Sequence, residues 1–143
     1  MRSNTYIFGG PVAPPYLEAV GVVCDILASA EYDLMQARLR RNLERLAQGL
    51  TAQGLTVLGG ATPIVSVLVG DEADTLRAGS FLFEHGFYVQ SVTFPAVPYH
   101  GGVLRIQVNA NHTCQEIDAL LESFRALARE FTLPQPTAHK AAA

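Results

Sequence analysis

Lysine is nearly missing from this chain. Ten basic residues are spread over 143 positions, nine of them arginine, and the one lysine, Lys140, sits in the terminal run AHKAAA. The folded part therefore carries no lysine nucleophile. Charge is scarce as well: charged residues make up 16% and hydrophobic ones 49%. That is apolar for a free-standing domain of this size, and it implies a surface meant to be covered. A net charge of -3 leaves no footprint for nucleic acid. No apolar run reaches the roughly 18–20 residues that span a bilayer, and no secretory leader is visible. Cysteine is limited to Cys24 and Cys114, too far apart to form a metal-spaced pair, and these read as reduced thiols of a cytoplasmic protein. His85, His100, His112 and His139 share no metal-like spacing either.

What is present fits one domain with a real core. Residues 1–13, MRSNTYIFGGPVA, form an irregular lead-in, since Gly-Gly-Pro forbids regular structure. PPYLEAVGVVCDILAS opens with prolines, which the first helical turn tolerates. The helix it predicts is apolar on most sides, so burial or an interface is expected. The clearest helix follows, with Leu39, Leu43, Leu46, Ala47 and Leu50 on one stripe and Arg38, Arg41 and Arg45 on the solvated face. PIVSVLVG reads as a buried strand, and DEADTLRAGSFLFEHG as a helix over about residues 72–85 with an acidic start and a glycine end. FYVQSV is the next strand, and TFPAVPYHGG a loop whose prolines exclude regular pairing. A strand from Leu104 to Val108 comes next. Thr113 with Glu116 then makes a capping box for a last helix to about Glu130. Residues 132–143 read as a flexible tail. The order predicts an α+β fold: a small, largely antiparallel sheet with helices packed on one side. No internal repeat or second domain is visible.

Taken by themselves, the residues form no catalytic constellation. No nucleophile has a base beside it, there are no paired carboxylates, and FGGP matches no phosphate loop. By itself Gly9-Gly10 is an ordinary turn, and His112, near a helix start, a local cap or packing residue. Arg105 is the exception: Leu104, Ile106 and Val108 point to one face of their strand, and Arg105 points to the other. It is either an edge-strand arginine facing water or a group waiting for a ligand.

Four stretches, TYIFGGPVAPP, PIVSVLVGD, GFYVQSVTFPAVP and LRIQVNANHT, stand in the order and spacing of the C-terminal domain of the α-oxoamine synthases. These are fold type I, pyridoxal-phosphate-dependent enzymes of the class I/II aminotransferase kind, among them 8-amino-7-oxononanoate synthase, 5-aminolevulinate synthase and serine palmitoyltransferase. The resemblance covers roughly residues 4–130. It makes residues 1–131 the small domain of a homodimeric cytoplasmic enzyme that joins an amino acid to an acyl-CoA thioester, releasing CoA and usually CO2. The cofactor would be held mainly by a large domain that also carries the Schiff-base lysine, so the fragment alone should be inactive.

By the same resemblance Arg105 falls on the arginine that pairs with the amino-acid carboxylate. Thr93, Pro95 and Pro98 fall on the mobile proline loop near the substrate. Gly9 and Gly10 fall on the F-S/T-T stretch that reaches the cofactor phosphate. The two glycines have no hydroxyl, so a phosphate contact there must come from backbone N–H groups. Two alternatives share the fold: an aminotransferase domain, and a non-catalytic binding or dimerisation module.

Overall fold

The computed structural model describes residues 11–59 and 62–134. Gly9 and Gly10 lie outside the described residues. Contacts divide the chain into two compact units, residues 1–36 and 37–143.

The first unit holds helix α1, Pro14–Leu27, which carries proline in its first turn and has no side-chain cap. None of its residues is buried, and Tyr16, Leu17, Val20 and Val23 all stand more than half exposed. Of the two expectations for this apolar helix, burial or an interface, it is not buried within its unit. Helix α2, Ala30–Ala52, starts in this unit and runs on into the second.

The second unit is built on a four-stranded sheet of β1 (Val57–Leu58), β2 (Ile64–Gly70), β3 (Gln90–Val92) and β4 (Gly102–Gln107). The order is β1-β2-β4-β3 and every pairing is antiparallel. Strand β1 was not foreseen; two residues beside a Gly-Gly pair give no periodicity to read. Val65, Val67 and Val69 alternate inward from β2, and Leu104 and Ile106 from β4. Against that face pack Leu46 and Leu50 of α2, Ala78 and Leu82 of α3 (Glu72–Glu84), and Ile117, Leu120, Phe124 and Leu127 of α4 (Cys114–Glu130). The expected α+β layering, with helices on one side, is what the unit shows.

Local chemistry sets the element ends. Asp71 caps α3 by accepting from the Ala73 and Asp74 N–H groups. At the other end Gly86 takes φ +88°, and the Phe87 N–H reaches back to the Leu82 carbonyl. That is a Schellman turn, with Phe87 and Leu82 both set against the core. It consumes residues 86–89, so β3 is shorter than FYVQSV implied. Thr113 and Glu116 form the full capping box that starts α4. Strand β4 runs from Gly102 to Gln107, and just past its end the Val108 N–H still donates to the Pro63 carbonyl, one step on in the register with β2, with Val108 buried like Leu104 and Ile106.

Packing extends past the end of α4 through the last described residues. Leu133 is buried in the core, and the Pro134 carbonyl accepts from the Thr56 hydroxyl at 2.8 Å. Apolar burial continues past the end of α4, which a reading from composition missed.

Candidate functional site

Arg105 sits on β4, an interior strand. Its ladder partners are Ser66 on one side and Gln90 on the other. The edge-strand alternative is thereby overturned. Because Leu104 and Ile106 face the helices, Arg105 points from the opposite face of the sheet. The side chain is half-buried, and its Nε is shut off from solvent with no hydrogen-bond partner among the described residues. A buried guanidinium N–H without an acceptor costs free energy that an incoming oxygen removes.

Arg105 lines a cleft of about 300 Å³ together with Gly86–Gln90, the segment that leads into β3. Ile106, Gln107, His112 and Leu120 complete its walls. A second hollow of about 220 Å³ continues from it over Phe87, Val108, Glu116 and Ile117. The two share Gly86, Phe87, Ile106, His112 and Leu120, so the cleft has Arg105 towards one end and an apolar floor. An arginine fork above apolar walls suits a carboxylate, which it grips through two parallel charge-assisted bonds.

His112 is placed by buried Asn42 of α2, whose Nδ2 donates to the His112 carbonyl at 2.8 Å and to the Asn109 carbonyl at 3.0 Å. The residue thus lines the cleft instead of capping α4, the job Thr113 does. Next to it, hydrogen bonds from the Thr113 backbone and hydroxyl hold the Glu116 carboxyl below the usual carboxylate range.

Thr93, Pro95 and Pro98 lie on the loop that joins β3 to β4, with Thr93 half-buried and both prolines exposed. They do not line the cleft. The register places Val92 opposite Val103 and Gln90 opposite Arg105, so the loop leaves the ladder two steps, about 7 Å, from the arginine. That span is within a guanidinium's reach. The loop is folded on itself: the Ala96 N–H donates to the Thr93 carbonyl at 3.0 Å, and the Phe94 and Tyr99 rings meet edge to face.

At the foot of the loop, His100 takes φ +58° and donates its N–H to Glu72 Oε1 at 2.9 Å. Its Nδ1 is 3.5 Å from the same carboxylate and 4.0 Å from Asp71. Sequence reasoning missed this tie. DE was read only as an acidic helix start and YHGG only as loop, because the two stretches meet only through the fold.

No described helix is long and apolar enough to cross a membrane. Cys24 and Cys114 are free and exposed.

Comparison with known proteins gives a consistent picture. Over 133 residues the chain is 30% identical to 8-amino-7-oxononanoate synthase of Alkaliphilus oremlandii, covering 92% of this chain and 33% of that one. It is 36% identical over 122 residues to a putative 8-amino-7-oxononanoate synthase of Desulforudis audaxviator, covering 85% and 31%. The chain thus spans about a third of the length of the curated relatives it matches.

Among solved structures it resembles serine palmitoyltransferase of S. paucimobilis with a bound PLP–myriocin aldimine. There the TM-score is 0.65 at 29% identity, over 69% of this chain and 25% of that one. The fold also matches 8-amino-7-oxononanoate synthase of Francisella tularensis, with a TM-score of 0.72 at 22% identity, over 88% and 35%. These relatives are α-oxoamine synthases, whose cofactor is pyridoxal phosphate. The model of the class I and II aminotransferases matches residues 1–124. An interior-strand arginine on an antiparallel α+β unit thus sits in a chain that belongs to the class I and II aminotransferase family.

Proposed function

We propose that this chain serves as the C-terminal small domain of an α-oxoamine synthase, with residues 1–131 forming that domain. The reaction joins an amino acid to an acyl-CoA thioester. A bond forms between the amino acid's α-carbon and the acyl carbon, the thioester C–S bond breaks, and CoA leaves as the thiol. The carboxylate leaves as CO2. The enzyme works as a cytoplasmic homodimer.

The observation that carries the reading is Arg105. It is half-buried on an interior strand, its Nε has no partner among the described residues, and it lines a cleft with apolar walls. Such a group binds and orients a carboxylate. A strand fixes it more rigidly than a loop, so the amino acid's α-carbon is presented in one geometry. Thr93, Pro95 and Pro98, on the loop that leaves the ladder after Val92, two steps from Arg105, flank the same substrate in this reading. The names of the relatives and solved structures support this reaction class.

The described residues do not by themselves fit the cofactor. No lysine is among them, Arg105 is the one arginine lining the cleft, and Gly9 and Gly10 lie outside them. Pyridoxal phosphate and its Schiff-base lysine therefore belong to the two thirds of the relatives' length that this chain does not cover.

The test is an assay of the complete gene product loaded with pyridoxal phosphate, with free thiol followed as amino acid and acyl-CoA are each supplied or withheld. Thiol release that needs both substrates supports the proposal. Oxo-acid formation from an amino acid without acyl-CoA makes the protein an aminotransferase, and silence in both assays makes this domain a non-catalytic module.

A further inference from the structure

We propose that Glu72 is a positioning residue: its carboxylate straps His100, the foot of the 93–101 loop, to the start of α3, and so holds Thr93, Pro95 and Pro98 in place at the end of the ladder that carries Arg105. The inference rests on the functional reading of that loop. Several observations converge on it. The Glu72 side chain is only 25% exposed although it stands in the first turn of its helix. It accepts the His100 N–H at 2.9 Å, a charge-assisted bond. His100 takes φ +58°, a backbone state uncommon for any residue but glycine. With that conformation the following Gly101 N–H closes on the Pro98 carbonyl at 2.8 Å.

The ground beneath the strap is rigid. Asp71 caps the helix through its Oδ1, and its carbonyl accepts from the Thr75 hydroxyl. Thr75 is fully buried, and its carbonyl accepts from Ser91 of β3. A β-carbon on Gly102 would lie 2.2 Å from the Thr75 hydroxyl oxygen and 3.0 Å from the Gly70 carbonyl, so β4 leaves the loop pressed against α3. Both ends of the loop thus start from the α3 N-terminal turn: β3 through Ser91 and Thr75, β4 through Gly102 and His100. Glu72 is the side chain that crosses from that turn to the loop itself. The imidazole adds little, because His100 is 64% exposed and exposed ion pairs are weak. The backbone N–H is the working contact.

The test compares Glu72→Ala, Glu72→Gln and His100→Asn. Asparagine tolerates positive φ and keeps the N–H, so it removes the imidazole alone. In the 143-residue chain, amide exchange at Ala96 and Gly101 reports loop opening, because both N–H groups close loop turns. Glu72→Ala should speed their exchange about threefold to tenfold, the worth of a half-screened charge-assisted bond. Glu72→Gln, which keeps an acceptor oxygen, should restore part of the protection, and His100→Asn should stay near wild type. Exchange of the core amides of β2 should not change.

In the complete protein, Glu72→Ala should raise the amino-acid KM about threefold to tenfold with kcat nearly constant, matching the loop opening. Unchanged loop exchange in Glu72→Ala overturns the strap. Faster exchange with an unchanged KM, in a wild type that turns over, overturns the positioning role. A wild type without synthase activity removes the functional reading, while the exchange data still decide the strap.

Discussion

Asn42 and His112 are 70 residues apart in sequence, yet the Asn42 amide donates to the His112 carbonyl at 2.8 Å. The same amide donates to Asn109, so one buried side chain ties α2 to the turn that leads from β4 into α4. That turn carries His112 into the cleft wall. Asn42→Leu preserves volume but leaves two carbonyls unanswered. We expect it to lower unfolding stability by about 1–3 kcal/mol. Denaturant unfolding by circular dichroism measures this, and a loss below about 0.5 kcal/mol would show that water replaces the amide at no cost.

A second expectation concerns the start of α4. The Thr113 hydroxyl accepts the Glu116 N–H, and Glu116 returns the contact to the Thr113 N–H at 2.7 Å. Thr113→Ala should cost about 1 kcal/mol, as lost N-caps do. Thr113→Ser should recover most of it. Equal stability of the alanine and serine variants would mean the box is ornamental.

These two contacts mark the boundary of what the sequence discloses. The capping box was legible because Thr113 and Glu116 are three positions apart and the geometry is local. The inward alternation of Leu104 and Ile106 was legible for the same reason. Asn42 was not, since its partners lie far along the chain and a lone asparagine in a helix has no period. Arg45 was read as part of a solvated face, yet it grips Asp118 with both Nε and Nη2 at 2.7 Å. Arg105 was legible as an odd residue, but its interior place required knowing that β3 adds outside β4. Glu72 was invisible as a loop anchor for the reason Asn42 was.

The Arg45–Asp118 fork predicts a pH effect. The hydrogen bond from Arg45 holds the Asp118 carboxyl below its ordinary range, and Thr113 does the same for Glu116. Both groups bind protons more weakly folded than unfolded. Their contribution is whole above the usual carboxylate range and disappears as pH falls through about 4 toward the lowered native values. Melting temperature should therefore fall on acidification over that window, and Asp118→Asn should flatten the fall while lowering stability at neutral pH. An acid limb of unchanged steepness in Asp118→Asn contradicts this assignment.

Helix α1 offers a solution test. Val20, Val22, Val23 and Leu27 are each more than half exposed. Apolar surface of that extent binds hydrophobic dyes and promotes association. The 143-residue chain should bind such a dye saturably, and a Val20→Lys, Val23→Glu double variant should bind markedly less. Dye binding that the double variant leaves intact would place the sticky surface elsewhere.

The central claim is that Arg105 grips the amino-acid carboxylate, and the measurement that tests it most directly is steady-state kinetics of Arg105→Lys in the complete protein, with each substrate varied in turn. Lysine keeps the charge but not the planar fork. The account predicts a roughly tenfold to hundredfold loss in kcat/KM for the amino acid, the worth of a charged hydrogen bond. The acyl-CoA KM and the melting temperature should stay close to wild type. Unchanged amino-acid kinetics, or a variant that simply unfolds, would make Arg105 a structural residue and contradict the account.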